Sequence, residues 1–310
     1  MIKRVLYFGN PAYLSTRYEQ LVVKYPAIEQ NDTLPAYFKK EAERTVPIED
    51  IGMVLLDHKQ ITLTHDLCEK LLENNAVVVW CDAKHHPIGM TLPLAGNDTH
   101  SEKTKYQMEA SEPLKKQLWR QTIEAKITNQ AAVLAHFGYA DQALRHLANH
   151  VLSGDSSHLE ARAAALYWKY MLRPYQTTRG RFDGPPNHLL NYAYAILRAV
   201  VARNLVGSGL LPVLGIHHRN KYNAYCLADD VMEPYRPIID RFVFAYLKEN
   251  ENHLTDTLQK KDREYLLGVT TLDVDIEGKT SPLLVGVQRT TASLMKCYMG
   301  ERRKIAYPIL

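Results

Sequence analysis

A group of imidazole and carboxylate side chains lies within one short stretch of the chain: His217, His218, Asp229, Asp230 and Glu233. A further carboxylate, Glu160, lies well upstream. Neutral imidazoles and carboxylates are metal ligands, and a set dominated by oxygen favours Mg²⁺ or Mn²⁺, leaving positions for water and a substrate phosphate. The two segments therefore predict metal-assisted phosphoryl chemistry.

Glu160 allows two interpretations. It follows Ser157 at the S-x-x-E spacing of a capping box, in which the glutamate side chain bonds back to the helix start. The spacing alone favours this structural role. In the functional interpretation, the Glu160 carboxylate instead projects from the first helical turn into a cavity, where the alanines that follow leave room for neighbours.

The acids around residue 230 also have two interpretations. Asp230 and Glu233 are three residues apart, so a helix would place both carboxylates on one face, where they repel unless a positive group intervenes. They could equally be acids that stabilise the first turn of a helix. Pro234 predicts that this helix kinks or ends immediately after Glu233.

Several function classes lack support in the sequence. There is no G-x-x-x-x-G-K-[ST] phosphate loop, no complete dinucleotide fingerprint and no G-x-S-x-G nucleophile elbow. The net charge of +4, with 19 tyrosines among 38 lysines and arginines, permits binding to a polyanion without requiring it. Four singly placed cysteines and the lack of a long apolar run predict a soluble intracellular protein with reduced thiols.

The pattern of the chain changes near residue 95. Short β-rich runs separated by turns predict a small, mostly antiparallel sheet domain over residues 1–94, with a helix at Asp66–Asn74. Residues 95–105 are polar and predict a linker. Residues 106–310 predict a helical domain, with helices over Pro113–His136, Tyr139–His150, His158–Met171 and Leu189–Gly207; Thr270–Val287 could form a hairpin or a loop.

The sequence resembles the CRISPR-associated integrases of the Cas1 family, and in particular their type II branch. The resemblance covers essentially the whole chain. The segments that carry it are Gly9–Ser15, Val46–Gly52, Leu159–Ala161, Pro186–Leu190 and Leu227–Arg236.

This resemblance implies a ligand set. Glu160, His218 and Glu233 would bind a divalent metal, Mg²⁺ or Mn²⁺, with Asp230 as a fourth ligand or beside the ligands. The family places its histidine about fifteen residues before the second acid, and that spacing selects His218. The doubled His217-His218 and Asp229-Asp230 leave a one-residue ambiguity at each position.

The resemblance also implies an α+β fold, with a small N-terminal β-domain and a larger α-helical catalytic domain. It implies a cytoplasmic prokaryotic homodimer, without membrane association, that works with a dimer of the small Cas2 protein. The assembly would hold double-stranded DNA, and the 3′-hydroxyl of a short fragment would attack a phosphodiester of the CRISPR repeat, inserting a new spacer. In type II systems, Cas9 and an accessory end-binding protein also take part.

Two other functions remain open at this point. A metal-dependent nuclease for branched DNA would use the same residues with water in place of the 3′-hydroxyl. A non-catalytic DNA-binding scaffold would need Glu160 only as a helix cap. A phosphate-dominated DNA groove predicts that binding weakens steeply as salt concentration rises.

Overall fold

The computed structural model describes residues 3–35, 39, 42–94, 96–180, 184–250 and 255–310. The chain divides into two compact units, Met1–Gly96 and Asn97–Leu310. The first is rich in strands and the second in helices, so the predicted α+β class is confirmed.

The described residues of the first unit form strands and helices. In chain order the strands are β1 (Arg4–Phe8), β2 (Ala12–Arg17), β3 (Gln20–Lys24), β4 (Arg44–Pro47), β5 (Ile51–Leu56), β6 (Ile61–Leu63), β7 (Val77–Cys81) and β8 (Pro87–Thr91). They pair into two four-stranded sheets, with the strand orders β1-β5-β7-β8 and β4-β3-β2-β6. The described helices include α1 (Pro26–Glu29) and α2 (His65–Glu73).

The prediction of a mostly antiparallel sheet was wrong. Within the described residues, β1–β5, β5–β7 and β2–β6 pair in parallel, whereas β2–β3, β3–β4 and β7–β8 are antiparallel. The chain passes from β5 to β7 through α2, and such a crossover is what a parallel pair requires. The uninterrupted apolar run of β5, which is buried along its whole length, is typical of such a strand.

The second unit is built from helices. In chain order they are α3 (His100–Met108), α4 (Glu112–His136), α5 (Gln142–Asn149), α6 (Leu159–Met171), α7 (Asn187–Gly207), α8 (Cys226–Met232), α9 (Arg236–Glu249), α10 (Lys260–Leu266) and α11 (Leu283–Tyr298). The predicted helices agree with α4 to α7 to within three residues at each end. Every helix in the described ranges is too short or too polar to span a bilayer.

Two details of the second unit differ from the prediction. Helix α3 occupies most of the predicted linker 95–105, of which residue 95 lies outside the described residues. Its sequence lacks periodicity because it is anchored mainly by one buried polar side chain, Gln107, which bonds to Leu211 and Leu214. The unit is also not all-α, because β9 (Asp273–Ile276) and β10 (Lys279–Pro282) form a hairpin in the segment for which the sequence allowed a hairpin or a loop.

Helices α4 and α7 are the most deeply buried long elements of the second unit. Helix α4 packs against α5, α6 and α9, and its buried side includes several polar residues. One of them, Asn129, donates to Pro234 O at 2.8 Å and to Pro308 O at 2.9 Å, and accepts from Leu310 N. Asn129 thereby fixes the turn after Glu233 against the centre of the unit.

Replacing Asn129 with alanine should lower the free energy of unfolding by about 2–3 kcal/mol, because each buried group left without a partner costs about 1–3 kcal/mol. Urea denaturation followed by circular dichroism measures this change. Glu124→Ala, at an exposed position on the same helix, should change stability by less than about 0.5 kcal/mol. Equal effects of the two substitutions would contradict the role given to Asn129.

Candidate active site

The start of α6 is capped by Asp155 and not by a capping box. Asp155 is buried, and its two carboxylate oxygens accept from Leu159 N at 2.8 Å and Glu160 N at 3.0 Å. His158, the residue before the helix, adopts the left-handed conformation and makes no side-chain cap. The interpretation of Ser157 and Glu160 as a capping box was therefore wrong, and the Glu160 side chain is directed elsewhere.

The carboxylates of Glu160 and Glu233 meet at the ammonium group of Lys126. Lys126 Nζ lies 2.7 Å from Glu160 Oε1 and 2.6 Å from Glu233 Oε2. Lys126 comes from the middle of α4, Glu160 from the first turn of α6, and Glu233 from the 3-10 turn between α8 and α9. Residues far apart in the sequence are thus joined by one cation.

Charge neutralisation explains how Glu233 stays ionised although its side chain is only 7% exposed. Burial raises the pKa of Glu233, but Arg236 and Lys126 outweigh burial and lower it below the ordinary value. Arg236 Nε lies 3.0 Å from Glu233 Oε1. Burial likewise lowers the pKa of Lys126, but Glu233 and Glu160 outweigh it, so the lysine is held in its charged form.

The two adjacent histidines have different surroundings. The ring of His217 stacks on the buried Trp119, with 4.3 Å between ring centroids and an angle of 4° between the planes. The ring of His218 is nearly perpendicular to Trp119, and its Nδ1 lies 2.5 Å from Asp230 Oδ1. The charges of Glu233 and Glu160 also raise the pKa of His218. The structure therefore directs His218 to Asp230, within reach of the charges of the acidic cluster formed by Glu160 and Glu233, whereas His217 packs on α4.

Asp229 and Asp230 are also distinguished. Asp229 accepts from Arg198 Nε and from Asn223 Nδ2, both at 2.7 Å. The fully buried Asp230 accepts from His217 N at 2.9 Å and from His218 N at 3.3 Å, besides contacting the His218 ring. Asp230 thus fixes both the backbone and the ring of the histidine segment.

The residues around Lys126 provide a donor set that suits a hard divalent cation. Two carboxylates from separate elements lie together, and His218 bonds through Nδ1 and so keeps Nε2 for another partner. Glu233 Oε2 is buried, and its contact is the ion pair with Lys126. Among the described residues, however, no three His, Cys, Asp or Glu side chains are grouped closely enough to form a ready metal site, since Lys126 lies between the acids.

Sequence reasoning missed Lys126, Trp119 and Asp155. A lysine seven residues after a tryptophan is a signal. The two share one side of a helix, the tryptophan indicates that this side is buried, and a buried ammonium requires an acid. The S-x-x-E pattern drew attention to Ser157 instead of the aspartate two residues before it.

Comparison with known proteins places the chain in a family. The profile described as CRISPR associated protein Cas1 matches residues 6–273. The chain belongs to the Cas1 family. A Cas1 relative from Neisseria meningitidis serogroup C, named CRISPR-associated endonuclease Cas1, is 35% identical over 94% of this chain and 91% of its own length. A second, from Pyrobaculum aerophilum, is 27% identical over 83% of this chain and 90% of its own.

Solved structures share the Cas1 fold. A casposase bound to its integration product superposes with a TM-score of 0.78 at 19% identity, covering 99% of this chain and 93% of that one. A Cas1 protein from Thermotoga maritima superposes with a TM-score of 0.75 at 13% identity, covering 98% of this chain and 99% of that one. One chain of a Cas6-RT-Cas1–Cas2 complex superposes with a TM-score of 0.71 at 19% identity, covering 98% of this chain and 36% of that one. The family resemblance inferred from the motifs is confirmed.

The observed cap predicts how two neighbouring substitutions differ. Asp155→Ala should lower the free energy of unfolding by about 1–2 kcal/mol, since it removes the acceptor for two N–H groups at the start of α6. Ser157→Ala should change it by less than about 0.5 kcal/mol. Thermal denaturation of both variants tests this, and the reverse ranking would restore the capping box.

Proposed function

We propose that this protein is a CRISPR adaptation integrase. It catalyses divalent-metal-dependent strand transfer, in which the 3′-hydroxyl of a short DNA fragment attacks a phosphodiester of the CRISPR repeat, so that the fragment becomes a new spacer. An associated endonuclease activity uses the same site. One phosphodiester is exchanged for another, so the reaction needs no nucleotide cofactor.

The observation that carries this proposal is the meeting of Glu160 and Glu233 at Lys126 in a chain of the Cas1 family. The charges of both acids also act on His218. Glu160 and His218 are 28% and 43% exposed, so the cluster is accessible to a large substrate. Two similar proteins support both halves of the reaction: the Neisseria protein is called an endonuclease, and the casposase is bound to an integration product.

Each residue has a proposed role. Glu160, His218 and Glu233 hold Mg²⁺ or Mn²⁺, which would neutralise the scissile phosphate and lower the pKa of the attacking hydroxyl. Asp230 orients His218 through Nδ1, which leaves Nε2 for the metal, and we therefore propose it as a positioning residue and not as a ligand. Lys126 holds the two carboxylates together when the cation is absent and offers a positive charge to the phosphate.

The proposed partners follow from the family. The chain acts as a homodimer on double-stranded DNA together with a Cas2 dimer, a pairing supported by the similar chain that occurs in a Cas6-RT-Cas1–Cas2 complex. Cas9 and an accessory end-binding protein complete the type II assembly. Net charge of +4 is compatible with these DNA partners.

The proposal predicts metal-dependent strand joining by this chain alone on a branched DNA that represents a half-integrated fragment. With Mn²⁺ or Mg²⁺ the wild-type protein should reseal the branch. Glu160→Ala and His218→Ala should each reduce the rate by about 10²-fold or more, because each removes a group that stabilises the charged transition state. Gel analysis of labelled strands measures joining directly.

Glu124→Ala, at an exposed position on α4, is the matched control and should retain the wild-type rate. Cleavage that leaves 5′-phosphate ends without joining would favour a nuclease for branched DNA. Joining that is independent of metal, or insensitive to both site substitutions, would reject the proposed site. A chain that binds DNA without any reaction would favour the scaffold.

The hydrogen bond to Asp230 raises the pKa of His218 above its ordinary value, outweighing partial burial. A metal ligand must be neutral, so metal-dependent activity should fall as pH decreases through this raised pKa. In Asp230→Asn the charged acceptor is lost and the pKa of His218 falls, so the acidic inflection should move to lower pH. Activity at the optimum should fall about 10–100-fold, the scale for losing a group that orients a ligand.

Rates of strand joining between pH 5 and pH 9 measure both effects. An activity profile that is flat down to about pH 5 in the wild type would contradict the role of His218. An inflection at the same pH in the wild type and Asp230→Asn would contradict the role given to Asp230.

A further inference from the structure

Residues 305–310, here called the terminal segment, pack into the helical unit without forming a helix or a strand. The first four of them are buried. Polar side chains of α4 and α11 satisfy their backbone groups. Gln121 Oε1 accepts from Ile305 N at 2.9 Å. Ser293 Oγ accepts from Ala306 N at 2.8 Å. A buried irregular segment requires such partners, because it has no helix or sheet to supply its hydrogen bonds.

The terminal segment meets the turn that carries Glu233 at the side chain of Asn129. Asn129 Nδ2 donates to Pro234 O at 2.8 Å and to Pro308 O at 2.9 Å. The N–H of Leu310 donates to Asn129 Oδ1 at 3.0 Å, which fixes the direction in which the amide points. One buried side chain therefore holds both the terminal segment and the residue that follows Glu233.

Thr290 on α11 makes a second connection between the terminal segment and the same turn. Its hydroxyl lies 2.6 Å from Ala306 O and 2.7 Å from the hydroxyl of Tyr235. A carbonyl oxygen can only accept and threonine has a single hydroxyl hydrogen. Thr290 therefore donates to Ala306, and the O–H of Tyr235 donates to Thr290. Both side chains are fully buried, so water does not replace either hydrogen bond.

These two contacts act on the residues directly after Glu233. Glu233 begins the 3-10 turn Glu233–Tyr235, so a shift of Pro234 or Tyr235 moves its carboxylate. Lys126 neutralises this carboxylate, but a lysine is a charge on a flexible stem and by itself positions a partner only loosely. The hydrogen bonds of the turn are directional and supply the constraint that the ion pair lacks.

We propose that Thr290 and the terminal segment position Glu233 for binding the divalent cation. The inference rests on the proposed strand transfer, because it takes Glu233 to be a metal ligand. Thr290 and Tyr235 are positioning residues, since they act on the cation only through Glu233. Groups that orient a metal ligand from behind change metal affinity by about 10–100-fold.

The neighbouring Thr291 provides a matched control. It is also fully buried on α11, and its hydroxyl donates to Gln288 O at 3.1 Å and accepts from Ser208 Oγ at 2.8 Å. Neither partner belongs to the turn of Glu233. Thr290→Val and Thr291→Val each remove one buried hydroxyl and leave one hydroxyl donor and one carbonyl behind. Both should lower the midpoint of urea denaturation, whereas only Thr290→Val should weaken metal binding.

Titration with Mn²⁺, followed by the electron paramagnetic resonance signal of the free ion, measures this binding. Thr290→Val should weaken it about tenfold or more, and Thr290→Ser, which keeps the hydroxyl, should restore it. Thr291→Val should bind Mn²⁺ as the wild type does. Equal affinity of the wild type and Thr290→Val would overturn the inference. Equal losses in the two valine variants would also overturn it, because the loss would then follow from stability alone.

Hydrogen exchange in EDTA is a second measurement, which needs no metal. The backbone amides of residues 233–236 should exchange faster in Thr290→Val than in Thr291→Val, because the turn has lost a fixed contact. Tyr235→Phe removes the same hydrogen bond from the other side and takes the place of Thr290→Val if that variant does not fold. Exchange at the wild-type rate in these variants would contradict the inference.

Failure of the proposed function gives a different result. A wild-type protein that neither binds Mn²⁺ nor joins DNA would reject the metal-dependent strand transfer. The exchange rates of residues 233–236 would still decide whether Thr290 and the terminal segment hold the turn.

Discussion

Two carboxylates from distant parts of the chain can lie side by side inside this protein only because a cation lies between them. Glu233 is almost completely buried, and moving such a group out of water next to another acid is strongly unfavourable unless it is paired. Lys126 supplies that pairing with contacts of 2.6 and 2.7 Å, and Arg236 adds a second cation beside Glu233. The Lys126 contacts join α4, α6 and the turn before α9.

Helix α4 is accordingly more than a hydrophobic element. Trp119, Lys126 and Gln130 follow one another at intervals of about two turns and one turn, so they share one side of the helix. This side packs against His217, joins the acids and contributes to the wall of a cavity of about 390 Å³ that Glu233 also lines. One side of a single helix therefore contacts the histidine segment, the carboxylates and the cavity.

Much of this arrangement could be predicted from the sequence, because residue type and helical periodicity are local properties. The span Pro113–His136 matches α4 almost to the residue, and the types and spacing of Glu160, His218 and Glu233 identified the acidic cluster when combined with the family resemblance. Strand pairing in the first unit could not be predicted, because the partners of β5 come from segments far away in the chain. The cap by Asp155 was missed because a familiar four-residue pattern competed with a contact made by the preceding loop.

Gly215 shows how a residue without a functional group can limit the site. A Cβ at this position would lie 2.9 Å from Asp230 Oδ2 and still closer to the carbonyl oxygen of His218. Even alanine would therefore push the histidine backbone away from the aspartate that orients it. In a mutational scan this glycine would be as intolerant as a metal ligand, so loss of activity at a position in this segment does not by itself identify a chemical role.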